Sequence, residues 1–240
     1  MRSIVSTFFT LGALGTVGAL AGTAAAHVSI SSGPAAANKT QLITFSVGHG
    51  CTDAAMKHLD TIKIRVTIPA GVTGVRALFS DFGKPTVVKS GSTVTHVEWT
   101  KPAGDLLDGD DAYYQIQIRA KVPDAPFSKL KFDVEQTCED STTHAQMVVN
   151  WNAPEGSTTG SPAAMLPLVS ARATGWNKVA VPRALTQDEV ATYLGDSLIV
   201  WRGTSAYSSN PHTASLITAT PGVTALSGGL AAGDEIWVRY

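Results

Sequence analysis

A chain of 240 residues with 18 Lys and Arg against 19 Asp and Glu carries a formal net charge of −1. So neutral a balance excludes function built on broad electrostatic attraction, to nucleic acid or to an anionic membrane surface. The length suits one domain of ordinary size plus a smaller one.

The first 26 residues have the order of a secretory signal. Arg2 is followed by an apolar stretch from Ile4 to Ala21 and then by Gly22-Thr23-Ala24-Ala25-Ala26, a small-residue cleavage site. Cutting after Ala26 makes His27 the first residue of the mature protein and places it in the periplasm or outside the cell. No other segment approaches the ~20 apolar residues of a membrane helix, so no span is expected after cleavage. Only Cys51 and Cys138 are available for redox chemistry. In an oxidising compartment an even pair is expected to form a disulfide, the alternative being a two-thiolate soft-metal site.

The next 130 residues read as strands. Leu42 to Val47, Ile62 to Ile68 and Tyr114 to Val122 alternate apolar with polar. Val28 to Ser31, Val94 to Trp99, Lys129 to Val134 and Gln146 to Trp151 are further candidates. Short alternating strands separated by Gly, Pro, Asp and Ser predict an all-β, two-sheet antiparallel sandwich. Residues 157–175 are expected to be a linker or long loop, introduced by the small-polar run from Glu155 to Ala164. Residues 176–240 then read as a small mixed α/β appendage. Thr186 with Glu189 predicts a capping box, the strand Ser197 to Trp201 follows, a short helix is expected near Thr213 to Thr218, and Glu235 to Tyr240 forms a last strand. Its aromatics Trp176, Trp201, Tyr207 and Trp237 are expected in its core.

A mature N-terminal histidine carries chemistry that an internal one lacks. Its free amine and its imidazole can chelate one metal together. The amine, with a pKa near 8, gives up its proton to a metal at neutral pH. Nitrogen donors in a plane suit Cu(II), which also heads the affinity order of the divalent metals. For a second donor, strand parity puts Ile43, Phe45, Val47, His49 and Cys51 on one face if the strand runs on. A Cys51–Cys138 bond would then hold His49 beside the strand end Glu135 to Glu139.

Other candidates are weaker. His96 and Glu98 share a face opposite Val97 and Trp99 and read as solvated sheet surface. Met147 reads as core beside Val149 and Trp151, although a Met147–His144 pair would suit Cu(I). Glu135 and Glu139 are potential oxygen ligands; His58 and His212 are assigned nothing. Motifs for a serine nucleophile elbow, a zinc protease helix, a phosphate loop or a C-x-x-C pair are absent, so no enzyme is expected.

Several dispersed segments resemble one family. The start His27-Val28-Ser29-Ile30, then Phe45 to Cys51, Ile64 to Val72, Gln136 to Asp140 and Asn150 to Gly156 are similar, in order, to the YcnI-like domain, also called DUF1775, over residues 27–156. The C-terminal stretches 198–203, 207–211 and 235–240 resemble the tail of its longer proteobacterial members. The resemblance implies a copper-binding sandwich of cupredoxin-like or immunoglobulin-like type outside the cytoplasmic membrane, and a copper carrier or chaperone in copper homeostasis. Copper ion and another exported copper-handling protein are the partners it implies. In that family the N-terminal histidine binds Cu(II), a glutamate from a following strand completes the site and a tryptophan lies close by. His27 matches the first and Trp151 the third. At the glutamate's place this chain reads Val47-Gly48-His49-Gly50, so His49 is expected to complete the metal site. The alternative reading is a copper oxidase of polysaccharides, which also uses an N-terminal histidine brace but needs a flat, aromatic-lined substrate surface.

Overall fold

The computed structural model describes residues 28–109 and 111–240; the expected signal segment and His27 lie outside them. The alternating segments all pair as strands. In chain order they are β1 (Val28–Ile30), β2 (Ala35–Ala36), β3 (Thr40–Val47), β4 (Cys51–Thr52), β5 (His58–Thr67), β6 (Thr73–Ala77), β7 (Pro85–Ser90), β8 (Thr93–Thr100), β9 (Tyr114–Lys121), β10 (Ser128–Phe132), β11 (Val134–Glu139), β12 (Gln146–Ala153), β13 (Ser161–Pro162) and β14 (Ala164–Val169). One layer holds the sheet β1-β3-β9-β6, with the small sheet β10-β14-β2 beside it. The opposing sheet runs β13-β12-β11-β5-β8-β7, with β4 on β5.

Inward positions of all three sheets meet in one core. Ile43, Phe45, Ile116 and Ile118 come from one layer, Ile64, Val66, Val97 and Trp99 from the other, and Phe132, Leu166 and Leu168 close the side. Phe45 meets the edge of Phe132 at 5.3 Å between ring centres. Each fully buried large side chain stabilises by roughly 1.5–3 kcal/mol relative to exposure, which is what fixes strand register in a sheet with one buried face. The fold is therefore the antiparallel β-sandwich that the alternation predicts.

Residues 157–175 differ from the expected linker. They contain β13 and β14, and β14 pairs with β10 over five residues, Ser128↔Leu168 to Phe132↔Ala164. The small-polar composition is confined to 155–160. Ala164, Leu166 and Leu168 beyond it alternate inward, and Pro167 opposite Lys129 obscures the strand pattern.

The C-terminal unit has strands β15 (Trp176–Ala180), β16 (Ile199–Arg202), β17 (Ser205–Tyr207), β18 (Thr224–Ala225) and β19 (Glu235–Arg239), in the order β15-β19-β16-β17-β18. Its helices are α1 (Gln187–Leu194) and α2 (Pro211–Ala219). The expected capping box is present: the Thr186 hydroxyl accepts from Glu189 N, and the Glu189 carboxylate accepts from Thr186 N. Val190, Tyr193 and Leu194 of α1 pack with Val200, Ile236 and Val238, and with Phe127 and Val169 from the sandwich. Phe127 meets the edge of Tyr193 at 5.7 Å, and Arg183 Nε donates to the Phe127 carbonyl at 2.9 Å. The unit thus docks at the end of the sandwich where β9 finishes. No helix among the described residues is long and apolar enough to cross a membrane.

Candidate metal site

At the other end of the sandwich, β3 stops at Val47. The parity argument placed His49 on an extended strand, and here the structure differs. The chain leaves the first sheet at Gly48, turns through His49 and Gly50, and enters the second sheet at β4, where Cys51 pairs with Leu59. This crossing is closed by the Cys51–Cys138 disulfide, with Cα atoms 5.9 Å apart. His49 therefore sits on a short bridge between the two sheets, stapled at one side by a covalent bond.

A β-bulge shapes the facing strand. Thr137 pairs with Lys63 but Cys138 pairs with Thr61, so Ile62 is the extra residue on β5. The inserted residue reverses parity and turns Thr61 inward beside Gln136. Gln136 is a polar residue at an inward position, between Val134 and Cys138, and is 1% exposed. Its amide is fully engaged. Nε2 donates to the His49 carbonyl at 3.0 Å and to Thr61 Oγ1 at 2.8 Å, while Oε1 accepts from Trp151 Nε1 at 2.9 Å. One buried side chain thus joins the His49 loop to the indole of Trp151.

His49, Cys51, Met147, Val149 and Trp151 are among the residues that line a cleft of about 250 Å³. Met147 also packs against the disulfide cluster, as its core reading requires. The His49 Nδ1 faces the Gly50 carbonyl at close range. A carbonyl only accepts, so the contact is a hydrogen bond when Nδ1 carries a proton, and in that neutral tautomer Nε2 keeps the lone pair that a metal needs.

The other candidates lie elsewhere. Glu135 is next to Gln136 and so points to the opposite face of the sheet, where it lines a polar groove with Arg65, His96 and Asn150. Burial and the Arg65 charge push the His96 imidazole below its ordinary range. Glu139 accepts from His144 at 2.8 Å and Gln146 at 2.8 Å on an exposed turn, which holds its carboxyl below the usual range and occupies it away from the cleft. His144 is drawn to Glu139 rather than to Met147. Asp53, the nearest acid in sequence, caps the β4–β5 hairpin through Ala55 N and Lys57 N. Among the described residues, no three His, Cys, Asp or Glu side chains gather to hold a metal.

A second polar cluster, which the sequence reading did not single out, clamps the two layers at this same end. Asp60 of β5 accepts from Lys101 Nζ at 2.5 Å, Leu107 N at 2.9 Å and Tyr114 hydroxyl at 2.6 Å. Tyr114 begins β9, opposite Val47 of β3. Burial, then the Asp60 carboxylate, push the Tyr114 hydroxyl well above its ordinary range. Breaking such a buried pair from one side costs about 3–5 kcal/mol, so the cluster resists separation of the layers next to His49.

The register brings Val28, the first described residue, to this end as well. β1 pairs antiparallel with β3, Val28 opposite Val47 and Ile30 opposite Phe45. His27 itself lies outside the described residues.

An antiparallel β-sandwich with a disulfide-stapled histidine at one end defines the class of protein. The chain belongs to the family described as Domain of unknown function (DUF1775), whose model matches residues 27–168. That match ends inside β14, which agrees with β14 being part of the sandwich. A crystal structure of an uncharacterised protein from Nocardia farcinica, described as revealing an immunoglobulin-like fold, is similar at 23% identity and a TM-score of 0.49, covering 60% of this chain and 99% of that one. None of the curated proteins compared matches the chain.

Proposed function

We propose that the protein is an exported copper-binding protein of the YcnI-like kind, a carrier or chaperone rather than an enzyme, that holds Cu(II) at His27 and His49. The observation that carries this reading is the β1–β3 register together with the stapled loop. Val28 lies opposite the last residue of β3, and His49 follows two residues later on the loop closed by the Cys51–Cys138 bond. The donor chemistry fits copper: an amine and an imidazole from His27, and a second imidazole from His49, form a nitrogen-rich set. Bound copper would supply a redox-active Lewis acid held by nitrogen.

The chain's own residues have separable tasks. The Gly50 carbonyl facing Nδ1 would favour the His49 tautomer that offers Nε2 to a metal, in the manner of partners that orient metal-bound histidines. Gln136 ties down the backbone of the same loop, and Trp151 forms one wall of the cleft. Among the described residues Trp151 is the one Phe, Trp or Tyr that lines the cleft, so these residues offer little of the aromatic surface that the polysaccharide-oxidase alternative asks for. Export follows from the signal pattern of residues 1–26.

The test is Cu(II) titration followed by EPR on protein beginning at His27. One tight equivalent with nitrogen hyperfine structure is expected. A single residue added before His27 should weaken binding at least a hundredfold by converting the amine to an amide. His49→Ala should change the spectrum with the stoichiometry kept. Equal affinity with and without the added residue refutes the chelate.

A further inference from the structure

The C-terminal sheet carries a feature that copper binding does not use. Residues of β19 alternate, with Ile236 and Val238 buried in the core and Glu235, Trp237 and Arg239 on the outer face. Trp201 of β16 lies directly opposite Trp237 on one side. On the other side β15 places Lys178 opposite Trp237 and Trp176 opposite Arg239. Trp176, Trp237 and Trp201 therefore stand on three adjacent strands of one face, and with Gly203 they line an open cleft of about 450 Å³. Trp176 is 49% exposed and Trp237 48%. The expectation that these tryptophans fill the core fails because strand parity had already given the core to Ile236 and Val238; only Tyr207 of the four aromatics packs there.

We propose that this face binds a polysaccharide chain of uncharged, equatorially substituted pyranose rings. Such rings have flat C–H faces that stack on indoles, with hydroxyls around the edge that both donate and accept. The rim offers both functions. The ammonium of Lys178 and the carboxylate of Glu235 pair at 2.8 Å, and the Arg239 guanidinium lies 5.9 Å from the Trp176 ring centre. The mixed signs suit a neutral ligand and select no strongly charged one. Gly203, at φ 57° in the β16–β17 turn, places no side chain over the cleft.

Size decides against a protein occupant. Two half-exposed tryptophans and part of a third present roughly 200–300 Å² at 150–250 Å² per ring, against about 800 Å² per partner in a stable protein interface. A cleft of this volume suits two or three sugar units. The face also belongs to the unit docked at the sandwich end away from His49. It is therefore an anchor to glycan and not a substrate platform for the metal site, and it stands or falls independently of copper.

The test uses the mature protein with the β-1,4-linked hexamers of glucose and of N-acetylglucosamine, followed by calorimetry and by indole N–H shifts in NMR. Saturable binding of at least one, with Kd of about 0.1–1 mM, is expected. Trp237→Ala and Trp176→Ala should weaken it at least tenfold with unchanged melting temperature, Trp237→Phe should retain most of it, and His49→Ala should leave it intact. The two hexamers separate glucan from amino-sugar sources. The proposal is overturned by no saturable shift with either sugar to about 10 mM, by equal binding of the α-1,4-linked glucose hexamer, or by unaltered binding in both alanine variants. Self-association of the protein that Trp237→Ala abolishes would assign the face to a second copy instead.

Discussion

Replacing Gln136 by methionine isolates the polar link between His49 and Trp151. Methionine has nearly the same length and volume, so little cavity is created and the change reads the hydrogen bonds. Three bonds are lost: those to the His49 carbonyl, to Thr61 and from Trp151. The His49 carbonyl borders the open cleft and can turn to water, so its loss costs little. The Thr61 hydroxyl is buried but keeps its contact with Cys138 Sγ at 3.8 Å, whereas the buried Trp151 N–H loses its bond to Gln136. Each lost bond contributes about 1 kcal/mol net, and each buried group deprived of its partner costs about 1–3 kcal/mol. The expected destabilisation is about 2–4 kcal/mol, read as a fall in the urea midpoint with an unchanged slope. At 2–4 °C per kcal/mol for a chain of this size, the melting temperature should fall by roughly 5–15 °C. A Gln136→Met protein within about 0.5 kcal/mol of the parent would refute the reasoning. Broadened Cu(II) EPR lines in the variant would show in addition that the link orders the His49 loop.

Two further outcomes follow from covalent and acid–base features. The disulfide closes a loop with a sequence separation of 87, and a closure of that size is worth about 4.6 kcal/mol in the chain-entropy model. Cys51→Ala/Cys138→Ala should lose most of that in chemical denaturation, whereas a loss under about 1 kcal/mol would mean the unfolded chain gains little freedom. Arg183, then the Thr186 N–H, lower the Glu189 carboxyl from its ordinary 4.5 to about 2 in the folded state. A depressed acid binds fewer protons when folded, so its stabilisation is complete above about pH 5 and fades as pH falls toward 2. Glu189→Gln should flatten the stability–pH curve over that window, and an unchanged acid limb would show that other carboxylates dominate it.

Much of the sandwich could be read in the chain because each strand is half-buried. Where one face meets the core and the other meets water, the period of two is written into the residues themselves, as in Ile64-Arg65-Val66 and Ile116-Gln117-Ile118. The capping box at Thr186 is equally local, since its partners lie three residues apart. The signal pattern, the cysteine pair and the histidine at position 27 are also properties of the chain alone.

Other features depend on which strands become neighbours. Gln136 and the expected core tryptophans break the simple rule that inward means apolar and aromatic means inward. Parity within β11 and β19 contained the clue, but only pairing shows that Gln136 meets an indole and that three tryptophans line up across three strands. The bulge at Ile62 is invisible locally, because it arises from the mismatch of β5 with β11, and it is what brings Thr61 to Gln136. Asp60, Lys101 and Tyr114 are separated by long stretches of chain and meet only when the layers close. The sequence by itself determined the sandwich and its staple, because alternation and cysteine count are local or compositional. Tertiary structure alone decided that His49 rides on the bridge between sheets beside Trp151, and that the C-terminal tryptophans face outward. Both depend on contacts between strands distant in the chain.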